Sequence, residues 1–408
     1  MNLFQFVRSY WRLPLFGLSF TFFSNFGQTF LVSLFVPGFL AAFEMSNASF
    51  GTLYSAATMS SAITLVWIGS KIDRISLKRY AFMVTAGLVL ASLILAFSLW
   101  IWMLFLGLFA IRLFGQGLSS HTAHTAMGRY FITMRGKALS ISSLGYTLGE
   151  AILPITITAL ITAAGWRFGW ITISLFIALA LPAIIIFTLG RNPQDSAEKK
   201  STGFADGASQ PGSNWRRSTV LRDYRFYLFL PGILISPFLL TGIFLYQTRL
   251  AEFKGWEIEI LASAFIAFAA AKSIFSLVGG PMVDRFRACR MFPFFLIPFF
   301  TGLLVLTLSS HSITPFLYLF LAGMSEGFGA NIKTSIYAEL YGTANLGTIR
   351  SMISMFVVIS TAISPILFGH LLDAGIPFGS IIQGSMGLMI VIMVLGSFMY
   401  REARNIIS

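Results

Sequence analysis

The sequence predicts an all-α integral membrane protein with twelve transmembrane helices in two pseudo-symmetric six-helix halves. Three observations predict it: twelve apolar runs of spanning length, a charged hinge repeated at half the chain, and basic residues concentrated in alternate loops.

Of the 408 residues, 56% are hydrophobic, 43 are Phe and only 11% are charged, against roughly 25% charged in a soluble domain. A helix crosses a bilayer with about 20 apolar residues. Runs of that kind occupy 14–42, 49–71, 80–98, 100–128, 137–163, 165–190, 226–248, 258–283, 291–309, 313–341, 347–373 and 378–400. The first follows Arg8 and Arg12 but is too long for the apolar region of a secretory signal, so it is read as a retained helix.

The hinge Gly69-Ser-Lys-Ile-Asp73-Arg74 lies between the second and third runs. It returns 211 positions later as Gly280-Pro-Met-Val-Asp284-Arg285, again trailed by basic residues. Other matches keep nearly the same spacing: Glu150 to Pro154 with Thr361 to Pro365, Gly115, Gly117 and Thr122 with Gly327, Gly329 and Thr334, and Arg8 and Tyr10 with Arg222 and Tyr224. Collinear matches at a nearly fixed offset indicate a tandem duplication. The expected organisation is an N-terminal half over 1–190, a Gly/Ser/Pro-rich cytoplasmic linker over 191–225, and a C-terminal half over 226–408.

The net charge of +13 reflects topology. Most of the 28 Lys and Arg fall in 1–13, 69–80, 129–137, 191–226, 285–290, 350 and 401–408, whereas only Arg167, Arg249 and Lys254 fall in the alternate loops. The positive-inside rule then places both termini in the cytoplasm, with a bacterial inner membrane as the expected location. Anionic lipid is the expected neighbour of these loops, and nucleic acid is not an expected partner. Cys289 is the single cysteine and there are four His, so no disulfide, metal or cofactor is expected. No nucleotide-binding loop or nucleophile elbow is present, which argues against an enzyme.

In the first helix, Thr21, Asn25 and Gln28 fall within about 60° of one another. These polar groups either face an aqueous cavity or hydrogen-bond between helices. The fourth helix carries Arg112 near mid-membrane, with Gln116 and Ser119 on the same stripe and His124 at its border. His124 is a candidate for handling a proton. The pair His121-x-x-His124 has no third ligand in view, so it is not read as a metal site. In the fifth helix, Ser143, Tyr146, Glu150 and Pro154 share one face, and Arg112 is the expected partner of Glu150.

In the second half, Lys272 lies in the middle of the eighth helix, four residues before Ser276. Glu326, Ala330, Lys333 and Tyr337 fall within about 60° on one face of the tenth helix, which points to an aqueous path. Glu326 either forms a structural ion pair with Lys272 or Lys333, or exchanges a proton as those lysines bind substrate. Asn331 lies off the stripe, where packing accounts for it.

The hinge resembles the signature loop of the major facilitator superfamily, Gly-x-x-x-Asp-Arg-x-Gly-Arg-Arg/Lys. Gly69, Asp73, Arg74, Lys78 and Arg79 match in order, with Ser76 in place of the second glycine. The resemblance implies twelve helices, alternating access and a gating role for Gly69, Asp73, Arg74, Gly280, Asp284 and Arg285 at the cytoplasmic side. Arg112-x-x-Gly-x-Gly is similar to the superfamily's fourth-helix motif, with one residue fewer before the glycines. The junction Arg129-Tyr-Phe-x-x-x-Arg135-Gly-Lys-Ala138 resembles the monocarboxylate-porter-like branch. That branch carries an Asp and an Arg one turn apart where this chain has Lys272 and Ser276. Gly145-x-x-x-Gly149 partly resembles the drug-antiporter motif, but Glu150 replaces its proline.

The expected function is therefore secondary active transport of a small organic anion, monocarboxylate-like and proton-coupled. Asn25, Gln28, Arg112, Gln116, Lys272, Lys333 and Tyr337 are the candidate substrate contacts, and Glu150, Glu326 and His124 the candidate proton carriers. Three intramembrane cations against two carboxylates leave room for one negative charge. The alternatives are a proton-coupled drug or metabolite exporter of the same fold and, from another class, a non-transporting membrane receptor. A monomer is the expected state.

Overall fold

A computed structural model describes residues 3–131, 134–190, 217–342 and 345–405; among these, helices joined by short turns make up the whole, with no strand. The chain divides into two compact units, Met1–Thr202 and Gly203–Ser408. The division falls within the expected linker, whose residues 191–216 lie outside the described ones.

In the N-terminal unit, α1 (Arg12–Gly27) and α2 (Thr29–Phe43) make one span bent by 47°. The bend sits at Gln28, whose ψ of 148° is extended. The helix α3 (Asn47–Gly69) begins at Ser46, whose hydroxyl accepts from Ser49 N at 3.2 Å. A 3-10 turn over Ser70–Asp73 forms the hinge. In α4 (Leu77–Ala96), Ser76 is the N-cap and accepts from Arg79 N at 3.4 Å. The serine that departs from the motif glycine thus starts the next helix.

Next come α5 (Ile101–Tyr130) and α6 (Arg135–Leu189). The middle of α5, Ile111–Ser119, is wound as a π-helix. Gly165 interrupts α6 with φ 81° and ψ 164°, a conformation essentially confined to glycine. It separates the fifth and sixth apolar runs.

The C-terminal unit holds α7 (Tyr224–Leu245), α8 (Gln247–Lys254), α9 (Ile258–Phe286), α10 (Ala288–Met291), α11 (Ile297–Leu308), α12 (Thr314–Tyr341), α13 (Leu346–Asp373) and α14 (Phe378–Asn405). Asp223 caps α7 by accepting from Arg225 N at 3.1 Å. The end of the expected linker is therefore structured. The ninth run, 291–309, yields the 12-residue α11, because Phe292 to Leu296 forms turns around Pro293 and proline has no N–H to extend a helix.

Equivalent helices pair within each unit. The α1 segment lies against the first part of α6, where the Thr21 hydroxyl donates to Ser142 O and Gly145 faces the Leu18 and Phe22 backbone. In the second unit α7 lies against α13, where Ser364 Oγ donates to Phe238 O at 2.6 Å and Tyr246 OH to Pro365 O at 2.9 Å. The first and fifth helices of each half thus pair in the same way, with hydroxyl-to-carbonyl bonds that suit a low-dielectric setting.

Candidate substrate and proton sites

The bend in the first span creates the N-terminal site. Turning the chain out of the helix at Gln28 frees the Gly27 carbonyl, an expensive group to leave unbonded in hydrocarbon. Arg112 Nη1 donates to it at 3.1 Å and to Thr29 Oγ1 at 3.3 Å. Tyr54 OH donates to the same Thr29 oxygen at 3.0 Å, and the guanidinium carbon lies 5.2 Å from the Tyr54 ring centroid. Arg112 is 5% exposed.

Close approach of α5 to the bend requires Gly115, where a Cβ would stand 2.8 Å from Gly27 N. The π-winding of α5 spans this contact, and such widened turns gather at functional positions.

These contacts replace the expected Arg112–Glu150 pair. The broken helix supplies a nearer acceptor, so Arg112 takes backbone and hydroxyl oxygens, and no carboxylate pairs with it among the described residues. Its Nε is buried with no hydrogen-bond partner there. Glu150 is buried in α6. Asn25 is fully buried, and its amide donates to Thr21 O at 3.2 Å, Phe22 O at 3.0 Å and Gly145 O at 3.4 Å. The first two bonds stay within its own helix and the third crosses to α6, and Asn25 Oδ1 is buried with no hydrogen-bond partner among the described residues. Gln28 and Gln116 are half-buried near the bend, and His124 Nε2 is 3.3 Å from Tyr146 OH.

The C-terminal unit gathers its charges on α9 and α12. Gly327 sets α12 against the Lys272 carbonyl and the Ser276 amide. Lys333 Nζ lies 3.4 Å from Glu326 Oε1, and the Ser236 hydroxyl of α7 donates to the same oxygen. Lys272 acts electrostatically on Glu326 as well, and its Nζ lies 5.5 Å from the Phe268 ring. The two side chains of the Lys333–Glu326 pair remain 18% and 24% exposed. Asn331 Nδ2 donates to Ser276 O at 2.8 Å, a packing bond. Tyr337 is buried 6.1 Å from the Phe229 ring and forms part of that aromatic packing.

Each hinge is held from within its own unit. Arg129 Nη2 donates to Asp73 Oδ1 at 2.6 Å, and its two Nη atoms reach Ile72 O at 3.2 and 3.3 Å. His121 Nε2 donates to Gly69 O at 3.2 Å. In the second hinge, Glu339 accepts from Ala288 N at 2.6 Å and Cys289 N at 3.0 Å. Asp284 makes no ion pair among the described residues, and Arg285 lies over Phe286 at 5.3 Å. Arg74 and Gly280 take part in neither clasp.

Thr29, Tyr54, Ser236 and Glu339 were not singled out as site residues from sequence. Ser236 had one available signal, since it stands at the repeat offset from Ser24 of the polar first-helix stretch.

A sequence profile described as the Major Facilitator Superfamily matches residues 18–267 and 249–405. No curated protein matches the sequence. Among solved structures, the nucleoside transporter NupG superposes with a TM-score of 0.71 at 14% identity, over 98% of this chain and 99% of that one. A bacterial homolog of the human lysosomal transporter Spinster, inward-facing and occupied, gives 0.70 at 14% identity, over 98% and 97%. The profile covers nearly all of the spanning segments and the structures share the two-part helical fold: the chain belongs to the Major Facilitator Superfamily of membrane transporters.

Proposed function

We propose that this protein is a secondary active transporter of a small organic anion, related to the monocarboxylate-porter-like branch and coupled to protons by alternating access. The observation that carries the reading is Arg112: a buried guanidinium at a break in a spanning helix, with no carboxylate partner among the described residues. An intramembrane charge without a counter-charge is costly, and broken helices near mid-membrane are where transporters of this kind bind substrate. A substrate carboxylate meets both needs, by pairing with the guanidinium on the side of Arg112 Nε, which has no partner among the described residues, while Nη1 keeps Gly27 and Thr29.

Glu326 supplies the proton site in this reading. It is held by Ser236 and Lys333, and a lysine that turns to the substrate leaves the carboxylate less compensated and ready to take a proton. His124 and Glu150 are further proton-site candidates, and Lys272 a further substrate cation. The hinge residues Gly69, Asp73, Arg74, Gly280, Asp284 and Arg285 gate the cytoplasmic side, with both termini in the cytoplasm of a bacterial cell.

Proteoliposomes with a pH dye inside test the proposal. A panel of small carboxylates and uridine is added, with protein-free liposomes to subtract weak-acid leakage. Protein-dependent acidification with at least one carboxylate, lost in Arg112→Gln and in Glu326→Gln, is the expected result. Uptake of uridine without any carboxylate response overturns the anion reading, and carboxylate uptake without acidification overturns the coupling.

A further inference from the structure

Glu326 and Lys333 define one face of α12. At roughly 100° per residue, Met324, Phe328 and Ile332 lie about 160–240° from Glu326, on the back of the same helix. Against that back face, Met282 and Phe286 of α9 and the aromatic pair Phe294 and Phe295 enclose a groove of about 530 Å³. Every lining residue belongs to the C-terminal unit, and Arg290 is the one charged residue among them. Phe295 is the wall between the two faces, since Lys333 Nζ lies 5.5 Å from its ring.

The groove opens on the surface, where Phe286 is 47% and Phe294 58% exposed. Its mouth is basic. Arg290 lines the groove and is exposed, Arg285 and Arg287 are exposed in the same loop, and Arg290 makes no ion pair among the described residues. The two nearby acids, Asp284 and Glu339, leave the loop one positive charge in excess, and the Glu339 carboxylate is turned to the Ala288 and Cys289 amides.

We propose that this groove holds one acyl chain of an anionic phospholipid, with the lipid phosphate at Arg290. An apolar channel that opens among exposed aromatic side chains of a membrane protein faces hydrocarbon, so an acyl chain is the filler at hand. The charge at its mouth selects the headgroup: under the proposed topology the loop 285–290 meets the cytoplasmic leaflet, where anionic lipids concentrate. The site lies on the opposite side of α12 from the Glu326–Lys333 pair, so it is separate from the proposed transport path.

The test reads lipid retention and so stands or falls apart from the transport reading. The purified chain in nanodiscs is offered phosphatidylglycerol and phosphatidylcholine with matched chains, and retained lipid is counted by native mass spectrometry after detergent extraction. The expected result is a preference for phosphatidylglycerol of about fivefold, the ratio that one interfacial basic residue confers. Arg290→Gln abolishes it and Arg222→Gln, at an exposed basic residue outside the groove, keeps it. Both positions are exposed, so neither substitution disturbs the packing. Met324→Trp, which fills the groove, lowers retention of both lipids. Equal retention of the two lipids by the unsubstituted chain overturns the proposal. So does an Arg222→Gln loss as large as that of Arg290→Gln, which marks a general surface field.

Discussion

Arg129 Nη2 stands 2.6 Å from Asp73 Oδ1, and the same guanidinium holds the Ile72 carbonyl at 3.2 and 3.3 Å. The second hinge is held by the opposite charge, with Glu339 on the Ala288 and Cys289 amides. The difference follows from which helix end is grasped. Arg129 meets the C-terminal end of α3 and its turn, where carbonyls are left over, whereas Glu339 meets the N-terminal end of α10, where amides are left over. The duplicated units are thus clasped at opposite backbone groups, a carbonyl in the first and two amides in the second.

Arg129→Gln is therefore expected to destabilise more than Asp73→Asn. The ion pair is 35% and 71% exposed, and such pairs contribute about 0–1 kcal/mol. The carbonyl bonds add about 1 kcal/mol that the Asp73 substitution leaves intact. Thermal unfolding in detergent measures both; an equal or larger loss in Asp73→Asn removes the carbonyl clasp as the main contribution.

Cys289 reports on the second clasp. It is the single cysteine of the chain and 2% exposed, and burial, with the Glu339 carboxylate beside it, pushes its thiol well above the usual range. A raised value leaves the thiol protonated at neutral pH, so maleimide labelling is slow there and accelerates as pH rises. Glu339→Ala leaves two amides without their acceptor, at a cost of about 1–3 kcal/mol, and labelling is expected to quicken by roughly tenfold or more. An unchanged labelling rate shows that the cap does not hold this turn closed.

The duplication, the twelve runs and the charged hinge were legible because each depends on local composition or on spacing. The bend at Gln28 was not, because no proline or glycine pair marks it; it becomes intelligible only with Arg112, Thr29 and Tyr54 arranged around it. The Arg112–Glu150 expectation failed for the same reason. Helical angles show which residues share a face, but the freed Gly27 carbonyl is a backbone acceptor that no side-chain pattern displays. On α12 the helical period brings Glu326 and Lys333 into contact, and the third partner, Ser236, comes from a helix whose sequence neighbours are apolar.

Gly115→Ala tests the approach of α5 to the bend. Its Cβ would stand 2.8 Å from Gly27 N and 2.9 Å from Gly27 Cα, and backbone cannot yield as a side-chain tip does. Overpacking of this kind costs about 1–3 kcal/mol. A lowered unfolding temperature is expected, with Arg112 displaced from Gly27. Full stability in Gly115→Ala excludes a tight α5 contact at the bend.

The Glu326–Lys333 pair separates stability from transport through a double-substitution cycle. Removing either partner alone takes the nearest counter-charge from the other, and in the Lys333 variant Ser236 and the more distant Lys272 still act on Glu326. Breaking a fully buried pair costs roughly 3–5 kcal/mol, and the partial exposure of this pair places the loss lower, at about 1–3 kcal/mol. Glu326→Gln with Lys333→Gln removes both charges, so its unfolding temperature is expected to recover above that of either single variant. Proton-coupled uptake is expected to stay absent in the double variant, because the carboxylate proposed to carry the proton is gone. Recovery of both stability and uptake makes the pair purely structural and moves proton coupling to His124 or Glu150. A double variant no more stable than the worse single one shows that the two charges do not compensate each other.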